Sequence, residues 1–431
     1  MTSDELLTEA RRLRSSATEL RQHSWREVAQ AIDHVARRFL DPTDSLRVEA
    51  LGRLPEDALV SPEMAEVILD GMARDWVAER IDRAIELDFG DPAVLDGFGT
   101  AGSRRLTAVG PELTVHIVAG GVPGVGTHAM VRSLLVKSPT LLKAGRGDGV
   151  IPELFCRALS DDVPWLAEAC LARQWDRDRV DLTTAALRHA EVATVYGSDQ
   201  TISAIRRTAP PTTRLVEYRH RESIVVVGSE ALRPERVRAA AASVANAIGA
   251  FEQRGCVCPH LVYVEDVGSG GPLGFAEHVA DAMRRLQVEL PSAPLDVDEA
   301  SALQQLRGVA ELHAATSTDR VWYGEAGGSW TIVFEAEPRE GPPTLRRSAR
   351  VRPWADLGEL VDRLRPTAAH LQSLGVVGLG DRTEDFSLEL GRLGATRVTN
   401  PADMAFPPPW WLHYGRRSME ELVRWVELEA G

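Results

Sequence analysis

The chain has 431 residues, 44% of them apolar and 26% charged, with a formal net charge of −14. A single core stops growing near ~250–300 residues, so this length calls for two domains or more. The composition is that of a globular protein and excludes a disordered, collagenous or fibrous chain.

The acidic balance argues against a nucleic-acid partner. No stretch approaches the ~20 uninterrupted apolar residues of a membrane span. The opening MTSDELLTEARRLRSS is charged from residue 4 and has no apolar h-region, so no secretory leader is expected. Cys156, Cys170, Cys256 and Cys258 make no disulfide framework in a chain this long, and a cytoplasmic protein with reduced thiols is the expectation.

Residues 1 to about 90 read as helices. Ser24-Trp25-Arg26-Glu27 has capping-box spacing ahead of VAQAIDHVARRFL, and Ser61-Pro62-Glu63 opens MAEVILDGMARDWV with an N-cap, a proline and an acid. From about 105 to 265, apolar runs (LTVHIVAG, TLLKAG, EVATVYG, SIVVVG, HLVYVED) alternate with helical patterns such as PELFCRALSDD and RPERVRAAAASVANAIGAFEQ. That rhythm predicts a parallel, doubly wound α/β sheet. A loop at Gly268–Gly274, a helix at FAEHVADAMRRLQVEL and strands at WTIVFEAE and ARVRPW follow. Gly375 to Gly380 reads as a turn, FPPPWW as an extended connector, and MEELVRWVELE as a last helix.

Three segments could carry chemistry. Gly120-Gly121-Val122-Pro123-Gly124-Val125-Gly126 joins a strand to a helix, where glycines admit a ligand to the backbone and helix N–H groups can receive an anion. A tight turn explains the same glycines. Lys137 and Lys143 are the only lysines among 49 basic residues and share one stretch, KSPTLLK; Lys143 ends a predicted strand, where open α/β sheets bind ligands. Cys256-Val257-Cys258-Pro259-His260 supplies three metal ligands at most, so no metal centre is expected. Two readings stay open for it: buried structural thiols, or a thiolate nucleophile with its pKa lowered by nearby donors.

In order along the chain, AGGVPG, TLLKAGRGD, YGSD, EYRHRES, FEQRGCVCPH and LGATRV…MAFPPPWWLHYGR resemble the aldehyde dehydrogenase superfamily. The resemblance is to its LuxC-type branch of acyl-thioester reductases. It implies two Rossmann-like doubly wound domains with a helical N-terminal layer. The domains expected are a helical region at 1–104, an NAD(P)-binding domain at 105–217, a catalytic domain at 218–400 and a C-terminal segment at 401–431, the last serving oligomerisation.

The resemblance assigns Cys256 as nucleophile, Lys143 with Gly145 and Arg146 to the adenosine ribose, Gly197 and Ser198 to the pyrophosphate, and Glu217 to the general base of hydrolytic relatives. A reductase does not need that base. Gly121 stands where the family has the asparagine that donates to the oxyanion. Arg146 stands near the place of an acid that grips the ribose hydroxyls, and a cation there suits a 2′-phosphate, hence NADPH. The implied reaction is reduction of an acyl-CoA or acyl carrier protein thioester to an aldehyde by a homo-oligomer. The alternatives are oxidative aldehyde dehydrogenation and a catalytically degraded scaffold subunit.

Overall fold

The computed structural model describes residues 1–268, 271–295, 297–315, 320–325, 328–337 and 346–429; Ser269 and Gly270 of the expected loop lie outside them. Two compact units emerge: Met1–His220 together with the segment from Pro408, and Arg221–Pro407. The segment expected at 401–431 is therefore not one piece, because it divides between the units after Pro407.

The first unit begins with helices that follow the sequence signals. Ser24 and Glu27 form a reciprocal capping box on Trp25–Leu40, whose Val28, Ile32, Val35 and Phe39 share one buried face. The Ser61 hydroxyl accepts from Met64 N at the start of Pro62–Ala73. Buried Arg47 ties these helices together, donating to Phe39 O at 2.9 Å and pairing with Glu66 and Asp70. The first helix, Ser3–Ser15, instead sends Leu6, Ala10 and Leu13 into the core of the sheet.

Seven strands follow in this unit: β1 Gly99–Ala101, β2 Arg104–Val109, β3 Thr114–Val118, β4 Thr140–Ala144, β5 Cys170–Gln174, β6 Val192–Gly197 and β7 Arg214–Arg219. The last five form a parallel sheet in the order β5-β4-β3-β6-β7. β3 is buried along its whole length, as a central parallel strand should be. Its one histidine, His116, is satisfied by Thr194 and Ser133, and burial pushes the imidazole down to about 3, so it stays neutral.

The second unit carries β8 Glu222–Val227, β9 Pro259–Glu265, β10 Arg320–Gly324, β11 Thr331–Glu335, β12 Ser348–Trp354, β13 Leu371–Val377 and β14 Arg397–Thr399. The order is β10-β11-β12-β9-β8-β13-β14, parallel except for β10. Helices Val237–Gly249 and Gly271–Glu289 cover one face, while Leu357–Leu364 and Arg382–Leu393 pack on the other. The expected turn at Gly375 to Gly380 is half strand: β13 runs to Val377 between two neighbours, and only Gly378 and Gly380 turn, at φ +76° and +58°.

The chain then returns to the first unit as β15, Arg424–Leu428, antiparallel to β2 in a three-stranded sheet with β1. The expected last helix is thus a short turn at Glu420–Leu422 followed by a strand. Pairing with β2 and the packing of Trp425 on Phe89 override the helical propensity of its Glu and Leu residues. On the way, a ring stack of Tyr196, Tyr218, His413 and Trp411, with successive centroids 4.4–4.5 Å apart, seats this returning segment on β6 and β7.

Strand order reverses between β3 and β6 in the first sheet and between β8 and β13 in the second, the places where such sheets take ligands. In the second, the loops are joined to each other: Gly228 N donates to Val377 O (2.8 Å) and Glu230 N to Gly378 O (3.2 Å). A Cβ on Gly228 would lie 2.3 Å from Gly378 O. Gly228→Ala should therefore destabilise the protein by about 1–3 kcal/mol, seen as a lowered urea midpoint; an unchanged midpoint would contradict this packing.

Candidate active site

The two loops that follow β3 and β4 lie backbone against backbone. A Cβ on Gly145 would meet Gly120 Cα at 2.3 Å, so this glycine serves loop packing, and Gly121 N donates a long bond to Arg146 O (3.4 Å). Gly120 and Gly121 sit at φ +116° and +110°, a region open in practice to glycine alone. An asparagine at 121 would have to take a φ that non-glycine residues rarely adopt.

Of the two readings of the glycine segment, the ligand loop needs vacant N–H groups at the start of the helix Val125–Leu135. Two of them are taken. The Asp148 carboxylate already accepts from Gly124 N (2.7 Å) and Gly126 N (2.8 Å). Burial pushes this carboxyl up to about 7, against the two N–H groups that pull it down, with Asp57 adding to the rise. Asp57 in turn accepts from Gly149 N (3.1 Å) and Val150 N (3.4 Å) at the start of the next helix. Asp148 lies within the quoted TLLKAGRGD, but a single aspartate in a glycine-rich loop gives no sign of where it points.

Lys143 lies half-buried one residue before the end of β4; burial lowers its pKa, with Asp176 opposing and Arg146 reinforcing the fall. The Arg146 side chain is 93% exposed and lies 3.6 Å from Asp176, an acid that sequence reasoning missed because it follows a different strand, β5. Gly197 closes β6, where a Cβ would press on Thr201 and Ala119 at 3.0 and 3.3 Å. Ser198 then caps the helix Asp199–Thr208, accepting from Thr201 N at 3.3 Å. Lys137, by contrast, is buried against Asp96 at 2.5 Å and serves packing.

Glu217 on β7 is held by Arg206 and Arg219. Burial alone would raise its carboxyl, but the hydrogen bonds from the two guanidinium groups outweigh it and leave the pKa below the ordinary range. A carboxylate so stabilised is a poor base.

In the second unit, Cys256 lies in the loop between the turn Ala250–Gln253 and β9, and its carbonyl accepts from Ser223 Oγ at 2.6 Å. The residue keeps partial exposure, whereas Cys258 is buried with its Sγ 3.3 Å from Ala250 O. Cys258 is thus a core thiol, while Cys256 keeps some exposure as a residue although its thiol is largely enclosed. The expected lowering of the pKa is not found. Burial pushes the Cys256 thiol up to about 11, against the pull of its own backbone N–H and the charge of Arg221. Among the described residues, no group of three or more His, Cys, Asp or Glu side chains could hold a metal ion.

A family model described as acyl-CoA reductase (LuxC) matches residues 20–425. The chain belongs to that family. It is 24% identical over 305 residues to the long-chain acyl-protein thioester reductase of Aliivibrio fischeri, an alignment spanning 68% of this chain and 61% of that protein. To the long-chain acyl-protein thioester reductase 2 of Photobacterium leiognathi it is 21% identical over 405 residues, 92% of this chain and 80% of that one.

Among solved structures, the putative aldehyde dehydrogenase PutA from Anabaena variabilis superposes with a TM-score of 0.74 at 16% identity, covering 99% of this chain and 93% of that one. The NAD-dependent benzaldehyde dehydrogenase from Corynebacterium glutamicum gives 0.74 at 14%, covering 100% and 91%. The fold is therefore the α/β, Rossmann-like fold of the aldehyde dehydrogenase superfamily, with a helical N-terminal region. This chain is thus a LuxC-family protein with that fold. No helix among its described residues is long and apolar enough to cross a membrane.

Iodoacetamide should label Cys256 at a rate that keeps climbing toward about pH 11, well past the ~8.5 of a free thiol, while Cys258 stays protected. A profile that levels off by pH 9 would refute the buried setting of the thiol.

Proposed function

We propose that this chain reduces an acyl thioester, carried by coenzyme A or an acyl carrier protein, to an aldehyde with NADPH, through an acyl group held on Cys256. The observation that carries the reductive direction is Glu217. Aldehyde oxidation through an acyl-cysteine ends with a water that must be activated, and the carboxylate at the family's base position is pinned by two arginines. A reductase has no use for that water.

In this reading the Cys256 thiol gives up its proton and the thiolate attacks the thioester carbonyl, expelling the carrier thiol. Exchange of one thiolate for another on an acyl carbon is close to balanced, so covalent capture costs little and splits one difficult reduction into two steps. Arg221 favours the charged sulfur during this exchange. Gly121 brings no side chain to the oxyanion; where such a donor has been removed, rates fall by about 10²–10³. Hydride added to the acyl carbon and a proton to its oxygen would turn the acyl-cysteine into a thiohemiacetal, whose collapse breaks the C–S bond, returns the thiol and releases aldehyde.

The first unit fits a dinucleotide on three counts. An exposed helix start at Ser198 stands beside the β3/β6 switch point, the missing side chain of Gly197 leaves Thr201 and Ala119 close, and partly desolvated Lys143 lies one residue before the end of β4. Lys143, Gly197 and Ser198 would hold the cofactor with Gly145 in the adjoining loop, and Arg146 would meet a 2′-phosphate. NADPH supplies the hydride. Asp176 competes for Arg146, so Arg146→Ala should raise the KM for NADPH about tenfold with little change for NADH, and Asp176→Asn should lower it. Equal effects on both cofactors would count against this pairing.

A second reading, aldehyde oxidation, is favoured by the likeness in fold to aldehyde dehydrogenases. Purified protein given acyl-CoA and NADPH should consume cofactor without added aldehyde, and Cys256→Ser should abolish the reaction. Turnover only with aldehyde and NADP⁺ would favour oxidation, and loss of that turnover in Glu217→Gln would restore the base. No turnover in either direction would favour a scaffold subunit.

A further inference from the structure

Phe251, Glu252 and Gln253 all lie in the left-handed region, at φ +52°, +54° and +60°, and all three are buried. Three consecutive non-glycine residues in that conformation need something to hold them there, since the Cβ of each crowds its own carbonyl. Arg346 and Arg347, just ahead of β12, form a second left-handed pair at φ +40° and +50°. The two irregular segments are fastened to each other.

The Gln253 side-chain amide behaves as an extra residue of the sheet. Its Oε1 accepts from Ser348 N (2.7 Å), and its Nε2 donates to Ser348 O (2.8 Å) and to Pro259 O (2.7 Å), the first residues of β12 and β9. One residue earlier, Glu252 Oε1 accepts from Arg347 Nη2 at 2.9 Å, an ion pair with both side chains almost wholly inaccessible. Arg347 Nη1 also donates to Leu290 O (2.6 Å) and Gln287 Oε1 (3.1 Å), so the guanidinium cannot swing away. Cys256 is three residues beyond the clamp, with Cys258 buried on its far side.

We propose that Gln253 and Arg347 are positioning residues for Cys256: the amide clamp on Ser348 and the buried Glu252–Arg347 pair hold the left-handed turn that fixes where the thiol sits and keeps water from it. This rests on the reading of Cys256 as the nucleophile. The latch trades thiolate content for geometry, so releasing it should wet the sulfur and misplace it together.

Gln253→Met, which conserves volume and charge, tests this, with Arg347→Lys as a milder second variant that keeps the charge and loses the fork. In each, iodoacetamide labelling of Cys256 at pH 8 should quicken on the order of tenfold, with the pH midpoint falling from about 11 toward the free-thiol range. Cys258 and Cys170 should remain unlabelled, as read by peptide mass spectrometry. Acyl-CoA turnover should fall about tenfold or more at a KM within twofold of the native value, the signature of lost positioning.

An unchanged labelling midpoint in a folded variant overturns the latch. So does labelling that spreads to Cys258 and Cys170, which would make these contacts ordinary domain stability. Should Gln253→Met fail to fold, Arg347→Lys is read by the same two criteria. The labelling arm needs no substrate, so absence of acyl-CoA turnover in the native protein would sink the reductase reading and leave the latch to be judged on its own.

Discussion

Parallel sheets turn at loops whose backbone N–H groups have no strand to bond, and this chain answers that demand with its own carboxylates. Asp148 takes two N–H groups at one helix start, Asp57 two at the next, Glu265 the N–H of Ser229 after β8, and Asp88 that of Met419 on the returning segment. An unpaired buried N–H costs ~1–3 kcal/mol, so each carboxylate fixes a loop that would otherwise open to water. The cost is desolvation, visible in the raised pKa values of Asp148 and Asp88. The same device distinguishes the helix starts: Asp148 occupies the one at Val125, and the one at Ser198 is exposed.

Regular elements with local signals were legible in the sequence. Both capped helices of the N-terminal layer stand where Ser24 and Ser61 put them, and the five quoted apolar runs between 113 and 266 are all strands. What failed depended on partners far along the chain. β15 is a strand because β2, more than 300 residues earlier, offers an edge, and β13 is a strand because β8 and β14 flank its glycine. Short β1 and β14 carry too few residues for any periodicity to show.

The candidate site divides along the same line. Residue types at Cys256, Lys143 and Ser198 could be picked out from motifs, but their electrostatic state could not. Whether a thiol is acidic or inert depends on what encloses it, and the donors near Cys256 are outweighed by burial. The pinning of Glu217 likewise needs Arg206 from the neighbouring helix, whose place beside β7 no spacing rule reveals. Left-handed backbone at 251–253 leaves no trace in composition, since none of the three residues is glycine, asparagine or aspartate.

The scarcity of lysine has a practical side. Lys137 is enclosed and salt-bridged, so Lys143 is the one side-chain amine an acylating reagent can readily meet, and its lowered pKa leaves more of it neutral and nucleophilic at mild alkalinity. A fluorophore carried on an activated ester would therefore attach near the end of β4 almost without competition from other side chains. The molecule comes with a built-in address for a reporter near one end of a single strand.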